Sequence, residues 1–216
     1  MRSIEALFLD FDGVILESVD VKGWVFGKLF ENHPEHVGEI LAYHYANGGK
    51  SRFEKFRYIY ASILKEPLLD EKFDELCQNF SELAYDRVVK CDFVPGALEF
   101  LEKYHKTTLL FVISGTPQEE IIRLVHAKGL GHYFDGVYGS PNSKSYWAKE
   151  IIDERKLDVD TVIFVGDAMS DYRAAEDNNI RFVARIRHGK DIFDDKKVYG
   201  KVRDLFELDR FLSARG

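Results

Sequence analysis

Two aspartates separated by a single residue, Asp10 and Asp12, directly follow the apolar run Ile4 to Leu9. The run has the length and composition of a buried strand, so both carboxylates are expected at its carboxyl end. Neighbouring carboxylates repel each other, and the usual remedies are a bound cation, a shared proton or a fixed shell of hydrogen bonds. The pair therefore predicts a site for metal-assisted chemistry.

Polar residues also follow two later apolar runs. Ser114 and Gly115 come directly after the second run, and Asp167 and Asp171 come after the third. Because the carboxyl ends of parallel strands meet at one edge of a sheet, we expect these residues to lie beside the first aspartate pair. Four carboxylates at one edge favour Mg²⁺, which binds oxygen ligands octahedrally. The spacing of Asp167 and Asp171 is also typical of acids stabilised by a helix dipole.

These residue types suit the transfer of a phosphoryl group. Asp10 is a candidate nucleophile that would form an aspartyl phosphate, and Asp12 is placed to protonate the leaving oxygen and then to deprotonate water. Ser114, together with backbone N–H groups at the start of the following helix, is suited to bind phosphoryl oxygens. Lys144 would supply a positive charge beside the nucleophile, and Lys149 is the competing candidate.

The elements that must position these residues alternate along the chain. Strand-like runs cover Ile4 to Leu9, Thr108 to Ile113, Thr161 to Val165 and Arg181 to Ala184. Helical patterns cover about 95–105, 117–128, 143–154 and 170–178. Strands separated by helices predict an α/β protein with a doubly wound parallel sheet. The segment from Thr116 to Glu119 has the pattern of a capping box, which predicts Thr116 as the N-cap of the second of these helices.

The stretch from Leu16 to Asp92 departs from this alternation and has apolar residues at helical spacing, such as Phe53, Phe56 and Tyr60. We interpret residues 16–92 as an inserted α-helical cap, and residues 1–15 plus 93–216 as the catalytic core. An inserted lid at the carboxyl ends of the strands can cover a reaction site. The segment 185–201 is expected to be a solvated loop before a final helix, with basic residues that could edge the cleft.

The composition disfavours several classes of protein. The chain has 216 residues, a formal net charge of −7 and 45% hydrophobic residues, which favours a folded domain and disfavours nonspecific binding to nucleic acid. No apolar stretch approaches the roughly 20 residues of a membrane span, and the start of the chain lacks a signal-peptide pattern. We therefore expect a cytoplasmic protein without membrane association, in which Cys77 and Cys91 are reduced thiols. The sequence does not indicate an oligomeric state.

Four segments in this order resemble the motifs of the haloacid dehalogenase-like hydrolase superfamily: Asp10-Phe11-Asp12-Gly13-Val14, Ser114-Gly115-Thr116, Lys144, and Gly166-Asp167-Ala168-Met169-Ser170-Asp171. The resemblance extends over nearly the whole chain and is to the branch of phosphoglycolate phosphatases and β-phosphoglucomutases. It implies a Rossmann-like core, a helical cap of the first insertion type and Mg²⁺-dependent phosphoryl transfer through the first aspartate. Dehalogenating relatives lack the second aspartate, so the chain looks like a phosphatase or phosphomutase.

By motif position, the resemblance implies a role for each residue of the site. Asp12 would be the acid/base and would contact the metal through its backbone carbonyl, while Ser114 and Lys144 would hold phosphate. Asp167 would complete the metal site with Asp10, and Asp171 is the second candidate in that motif. The implied substrate is a small phosphorylated metabolite, such as phosphoglycolate or a sugar phosphate.

Two residues of the predicted cap are candidate substrate contacts. The segment Gly49-Lys50-Ser51-Arg52 resembles the specificity loop of β-phosphoglucomutases, which implies that Arg52 grips a second phosphate. The segment from Ser51 to Glu54 is also a capping-box pattern, which predicts the start of a helix. Lys22 stands where those mutases have a histidine that regulates proton transfer, and we interpret it either as a hinge contact with an anionic substrate or as a surface lysine.

Hydrolysis is the favoured reaction, and other functions remain open. The lysine at position 22 disfavours a phosphomutase. The complete motif set disfavours a non-catalytic module that binds a phosphorylated ligand. A phospho-signalling receiver is disfavoured because receivers do not usually carry an Asp-x-Asp pair and a large insertion after the first strand. Two departures from the family pattern are Val14, where threonine is common, and Ser145, where proline is frequent.

Overall fold

Six parallel strands form one sheet in the computed structural model, which describes residues 3–187 and 191–215. The strands are β1 (Ala6–Leu9), β2 (Leu109–Pro117), β3 (Gly136–Ser140), β4 (Val162–Gly166), β5 (Arg181–Arg185) and β6 (Gly200–Val202). Their order is β3-β2-β1-β4-β5-β6, so the direction of winding reverses between β1 and β4. A crevice at the carboxyl ends of the strands is expected at such a reversal, beside the ends of β2, β1 and β4.

Helices occupy the connections between the strands. They are α1 (Val19–Leu29), α2 (Pro34–Ala46), α3 (Arg52–Tyr58), α4 (Asp70–Lys90), α5 (Ala97–Tyr104), α6 (Gln118–Ala127), α7 (Lys144–Arg155), α8 (Met169–Asp177) and α9 (Leu205–Ser213). A short π-helix, Ile59–Leu64, continues α3. None of the helices in the described part of the chain is long and apolar enough to cross a membrane.

Both faces of the sheet are covered, which explains why β1 is apolar at every position. Leu7 and Leu9 belong to a core cluster that includes buried residues of α5, α6 and α9. Ala6 and Phe8 belong to a second cluster with α7 and α8. Successive side chains of a strand point to opposite faces, so a strand with two buried faces needs a continuous apolar run. The predicted doubly wound parallel sheet is therefore confirmed.

Helices α1 to α4, with the π-helix, form a helical insertion between β1 and the first core helix, α5. Its interior is aromatic: the ring centroids of Phe26 and Phe80 lie 5.1 Å apart, and those of Phe26 and Phe56 lie 5.5 Å apart. The chain enters and leaves the insertion side by side, because the N–H of Glu17 donates to the carbonyl of Asp92 at 3.0 Å. The helical character predicted for this stretch is confirmed.

Some local predictions were wrong. The strand β3 was missed because its sequence, Gly136 to Ser140, has two glycines and no apolar run, and β6 was missed because it has only three residues. The strand β6 also begins inside the predicted loop 185–201, of which residues 188–190 lie outside the described part of the chain. Thr116 is not a helix N-cap, because β2 continues through Pro117 and that proline occupies the N-cap position of α6.

Candidate active site

Three aspartates meet at the carboxyl ends of β1 and β4. These strands are paired so that Leu9 lies opposite Val165, which places Asp10 beside the turn that carries Asp167. Asp10, Asp167 and Asp171 each offer a carboxylate oxygen, and the three oxygens lie within 4.8 Å of one another. The predicted convergence of these residues at one sheet edge is therefore what the structure shows.

Lys144 lies between two of these carboxylates. It is the first residue of α7, whose N-cap Ser143 accepts a hydrogen bond from the N–H of Tyr146. The Nζ atom of Lys144 lies 2.8 Å from Asp10 Oδ2 and 2.6 Å from Asp171 Oδ1. The competing candidate Lys149 lies on the exposed side of α7 and is therefore not part of this cluster.

Two aspartates of the cluster have raised pKa values. Burial raises the pKa of Asp10 well above its ordinary value, and Asp171, Asp167 and Asp12 raise it further, whereas Lys144 opposes the shift. Burial and the neighbouring Asp171 raise the pKa of Asp167 to about 7. Both shifts come from burial and from repulsion between carboxylates, and additional positive charge would oppose them. A divalent cation held by these oxygen donors fits the site, because it supplies that charge and prefers such ligands.

Asp171 is fully buried, and both of its carboxylate oxygens already have partners. Oδ1 accepts a hydrogen bond from Lys144, and Oδ2 accepts one from the backbone N–H of Ala168 at 3.0 Å. The side chain thereby fixes both the lysine and the loop that carries Asp167. A direct metal contact by Asp171 stays a prediction, as does one through water.

Asp12 is held in a different environment from Asp10. Its Oδ1 accepts a hydrogen bond from Ser18 at 2.6 Å, and its Oδ2 lies 2.5 Å from Lys22 Nζ and 3.2 Å from Thr116 Oγ1. Burial alone would raise the pKa of Asp12, but Lys22 and the hydroxyl groups lower it below its ordinary value. Asp12 is therefore kept ionised, and Thr116 has a role in the site instead of the helix cap predicted from sequence.

Lys22 is not a surface lysine, so that interpretation of the sequence was wrong. It lies on α1 with 18% of its side chain exposed, and its Nζ donates to Thr116 Oγ1 at 2.7 Å as well as pairing with Asp12. The lysine links the helical insertion to the ends of β1 and β2. Its contact with a substrate stays a prediction.

Two glycines allow close approaches around the site. A Cβ atom on Gly13, whose φ is +82°, would lie 2.1 Å from Asp167 Oδ2. A Cβ atom on Gly115 would lie 2.2 Å from the carbonyl oxygen of Gly49, which belongs to the helical insertion. Beside Gly115, the buried Ser114 accepts a hydrogen bond from the N–H of Thr116 at 3.1 Å. The second motif is thus packed directly against the insertion.

A cavity of about 230 Å³ lies between the sheet edge and the helical insertion. Asp10, Asp12 and Asp167 line it from the core, and residues of α1, α2, α3 and α4 line it from the insertion. This volume suits a small molecule.

Arg52 lines the cavity, but its guanidinium group is already engaged. Its nitrogens lie 2.6 Å from Glu120 Oε1 and 2.7 Å from Ser81 Oγ, and it lies over the ring of Phe80 at 4.2 Å. The predicted start of a helix is confirmed, because Ser51 is the N-cap of α3 and accepts a hydrogen bond from the N–H of Glu54. Substrate contact by Arg52 stays a prediction.

Among the polar residues that line the cavity, Arg185 lies in the segment whose basic residues were expected to edge the cleft, whereas Lys55 and His44 were missed at the level of sequence. Arg185, the last residue of β5, donates to the carbonyl oxygen of Gly13 at 2.9 Å and pairs with Glu17. The expectation that basic residues of the segment 185–201 edge the cleft is therefore confirmed for Arg185 and for Arg187, which also lines the cavity. Lys55 and His44 belong to the insertion, and their approach depends on how α2 packs against α3, which the sequence pattern does not indicate.

The comparison with known families agrees with this geometry. A family model described as haloacid dehalogenase-like hydrolase matches residues 7–185. Six parallel strands, with an acidic cluster where the direction of winding reverses, are thus the fold and the site of a defined class of enzymes. The chain is a member of the haloacid dehalogenase-like hydrolase family, as the motifs predicted.

Individual relatives are more distant. An enolase-phosphatase E1 from Marinobacter nauticus is 31% identical over an alignment of 130 residues that covers 56% of this chain and 54% of that protein. The chain thus spans about half the length of this curated relative. A hydrolase from Pseudomonas syringae has a TM-score of 0.80 at 17% identity, over 97% of this chain and 98% of that one. A hydrolase of the same family from Bacillus subtilis, described as bound to magnesium, has a TM-score of 0.71 at 15% identity, over 98% of this chain and 100% of that one.

Proposed function

We propose that this enzyme is a Mg²⁺-dependent phosphatase that hydrolyses a small phosphorylated metabolite through an aspartyl phosphate on Asp10. The observation that supports this most strongly is the buried cluster of Asp10, Asp167 and Asp171 around Lys144, open to a cavity. The enolase-phosphatase relative and the magnesium-bound relative are consistent with the proposal.

The first displacement begins at Asp10. Its carboxylate attacks the phosphorus atom, the bond from phosphorus to the ester oxygen breaks, and the leaving oxygen takes a proton from Asp12. Lys144, together with Ser114 and the backbone at Gly115, binds the phosphoryl oxygens. Asp10, Asp167 and the backbone carbonyl of Asp12 would hold Mg²⁺, with Asp171 contributing directly or through water. Bound there, the cation would neutralise the negative charge of the approaching phosphate. Asp171 takes no part in the bond-making steps.

The second displacement uses water as the nucleophile. Water attacks the phosphorus of the aspartyl phosphate, gives its proton to Asp12, and releases inorganic phosphate and a free Asp10 carboxylate. The low pKa of Asp12 suits this step, because an ionised carboxylate accepts a proton. In the first step Asp12 must instead carry a proton. This requires that the bound substrate weaken the contact between Asp12 and Lys22.

The helical insertion is proposed to act as the cap of the enzyme, with residues 16–92 as its limits and residues 1–15 plus 93–216 as the core. Two contacts support a covering role: Ser170 Oγ donates to the carbonyl of Gly48 at 3.2 Å, and Gly49 lies against Gly115. In this position the insertion keeps bulk water from Asp10, which is 3% exposed.

Release of phosphate from a panel of small phosphate esters, with Mg²⁺ and with chelator, tests the proposal. We expect magnesium-dependent release by the wild type and none by Asp10→Asn. Asp153→Asn is the matched control, because Asp153 is an exposed acid on α7 that pairs only with Lys149 among the described residues. Failure of the wild type to release phosphate from any ester would overturn the proposal. Migration of phosphate within a sugar, without release, would instead identify a phosphomutase.

A further inference from the structure

A buried lysine of the helical insertion faces the same cavity as the catalytic aspartates. Lys55, on α3, is 4% exposed and lines the cavity together with His44 of α2. Its Nζ atom lies 3.1 Å from His44 Nδ1 and 3.4 Å from the carbonyl oxygen of His44. The reaction steps described above make no use of this pair.

Among the described residues that line the cavity, Lys55 differs from Lys22 and Arg52 in having no carboxylate within ion-pair distance. Lys22 pairs with Asp12, and Arg52 pairs with Glu120. Within residues 3–187 and 191–215, no ion pair is formed by Lys55, and both of its polar contacts are with His44. A buried ammonium group with no carboxylate in contact is costly, and an anion bound beside it would reduce that cost.

The surroundings of Lys55 favour an anion. Burial lowers the pKa of His44 to about 3, and Lys55 and Lys22 lower it too, so His44 is neutral and its Nδ1 accepts a hydrogen bond from Lys55. Burial, with repulsion from Lys22 and Lys50, outweighs the attraction of Glu54 and Asp12 and lowers the pKa of Lys55 to about 7. An anionic group placed beside Lys55 would relieve this repulsion and restore the charge of the ammonium group.

We propose that Lys55, positioned by His44, binds a second anionic group of the substrate, at the end opposite to the phosphate that is cleaved. The substrate class is then a small phosphate monoester that also carries a carboxylate or a second phosphate. This assignment rests on the proposed phosphatase function. Arg52 is less suited to the task, because Glu120 and Ser81 already occupy its guanidinium nitrogens.

Three esters of equal carbon length test the proposal and separate the two kinds of anion. Phosphoglycolate carries a carboxylate, ethylene glycol bisphosphate carries a second phosphate, and 2-hydroxyethyl phosphate has a neutral end. We expect the wild type to have a higher kcat/KM for one of the acidic esters than for the neutral one. In Lys55→Met, kcat/KM for that acidic ester should fall about 10- to 100-fold, as for loss of one hydrogen bond to a charged group.

The neutral ester should be hydrolysed equally well by Lys55→Met and the wild type, a pattern that general damage to the fold would not produce. Lys72→Met is the control, because Lys72 is an exposed lysine of α4 in the same insertion. Lys55→Gln is a second variant should the methionine not be accommodated.

Hydrolysis of p-nitrophenyl phosphate separates failure of the inference from failure of the proposed function. Suppose that the wild type hydrolyses p-nitrophenyl phosphate but does not prefer the acidic esters, and that the acidic esters inhibit it no more strongly than the neutral ester does. The inference about Lys55 is then overturned, and the phosphatase function stands. A preference for acidic esters that survives in Lys55→Met overturns it equally. If no phosphate ester is hydrolysed, the proposed function fails, and the inference fails with it.

Discussion

Replacement of Lys55 by methionine is expected to stabilise the substrate-free protein, although it should impair binding of the substrate. The side chains have similar lengths, and methionine needs no countercharge in an apolar environment. In the fold, burial, then Lys22 and Lys50, hold the pKa of Lys55 at about 7, against 10.5 for an unperturbed lysine. The charged lysine is therefore disfavoured in the folded state relative to the unfolded chain.

The size of this effect depends on pH in a defined direction. A lysine whose pKa is lowered in the folded state destabilises that state, and the full penalty applies below about pH 7. The penalty disappears as the pH rises towards 10.5, the pKa of the lysine in the unfolded chain. At about 1.4 kcal/mol for each pKa unit, the penalty is about 4 kcal/mol near pH 7 and about 1 kcal/mol near pH 9.5. The stability gained in Lys55→Met should therefore shrink by about 3 kcal/mol over this range.

Urea unfolding of the wild type and Lys55→Met at both pH values measures this difference. Groups that titrate identically in the two proteins cancel, and His44, with a pKa of about 3 in the fold, stays neutral throughout. Lys72→Met should show no such dependence on pH, because Lys72 is 46% exposed. A Lys55→Met protein that is less stable than the wild type near neutral pH, or a gain that does not change with pH, would refute the reasoning.

Three further predictions concern the reaction site. Lys22→Met should raise the pKa of Asp12, because Lys22 is the main group that lowers it. The acidic limb of the pH–rate profile should therefore move to higher pH. An acidic limb that does not move would contradict the assignment of Asp12 as the base. Gly115→Ala should cost about 1 to 3 kcal/mol of stability and lower activity, since its Cβ would lie 2.2 Å from the carbonyl oxygen of Gly49; an unchanged urea midpoint would refute this contact. Mg²⁺ at about 100 times its Kd should stabilise the wild type by about 2.7 kcal/mol in thermal unfolding. The same addition should have little effect on Asp167→Asn, and an equal stabilisation of both proteins would place the metal elsewhere.

Much of the core could be predicted because its signals are local. The apolar run before Asp10 and the run before Asp167 are each followed at once by polar residues, and parallel strands bring such ends together. Arg185 was expected only as one of several basic residues of a solvated loop that could edge the cleft, because the strand before it is short and charged residues follow it. Thr116 was misassigned because a capping-box pattern does not register that a strand continues through it.

The cavity wall contributed by the helical insertion was harder to predict. The pairing of Lys55 with His44 and of Arg52 with Glu120 joins residues that are 11 and 68 positions apart, in elements whose packing no local pattern specifies. The periodicity of apolar residues identifies helices but not which polar side chains their packing turns towards a cavity. The helical pattern therefore did not identify Lys55 and His44, whereas the family resemblance had named Lys22 and Arg52, which line the same cavity.

Acid quenching during turnover tests the central claim most directly. The wild type is mixed with a phosphate ester that it hydrolyses and with Mg²⁺, stopped with acid, which preserves acyl phosphates better than base does, and digested for mass spectrometry. The account predicts that the peptide containing Asp10 gains the mass of one phosphoryl group, and that Asp10→Asn gains none. Turnover without a phosphorylated peptide in the quenched protein, or with the phosphoryl group on a residue other than Asp10, would contradict it.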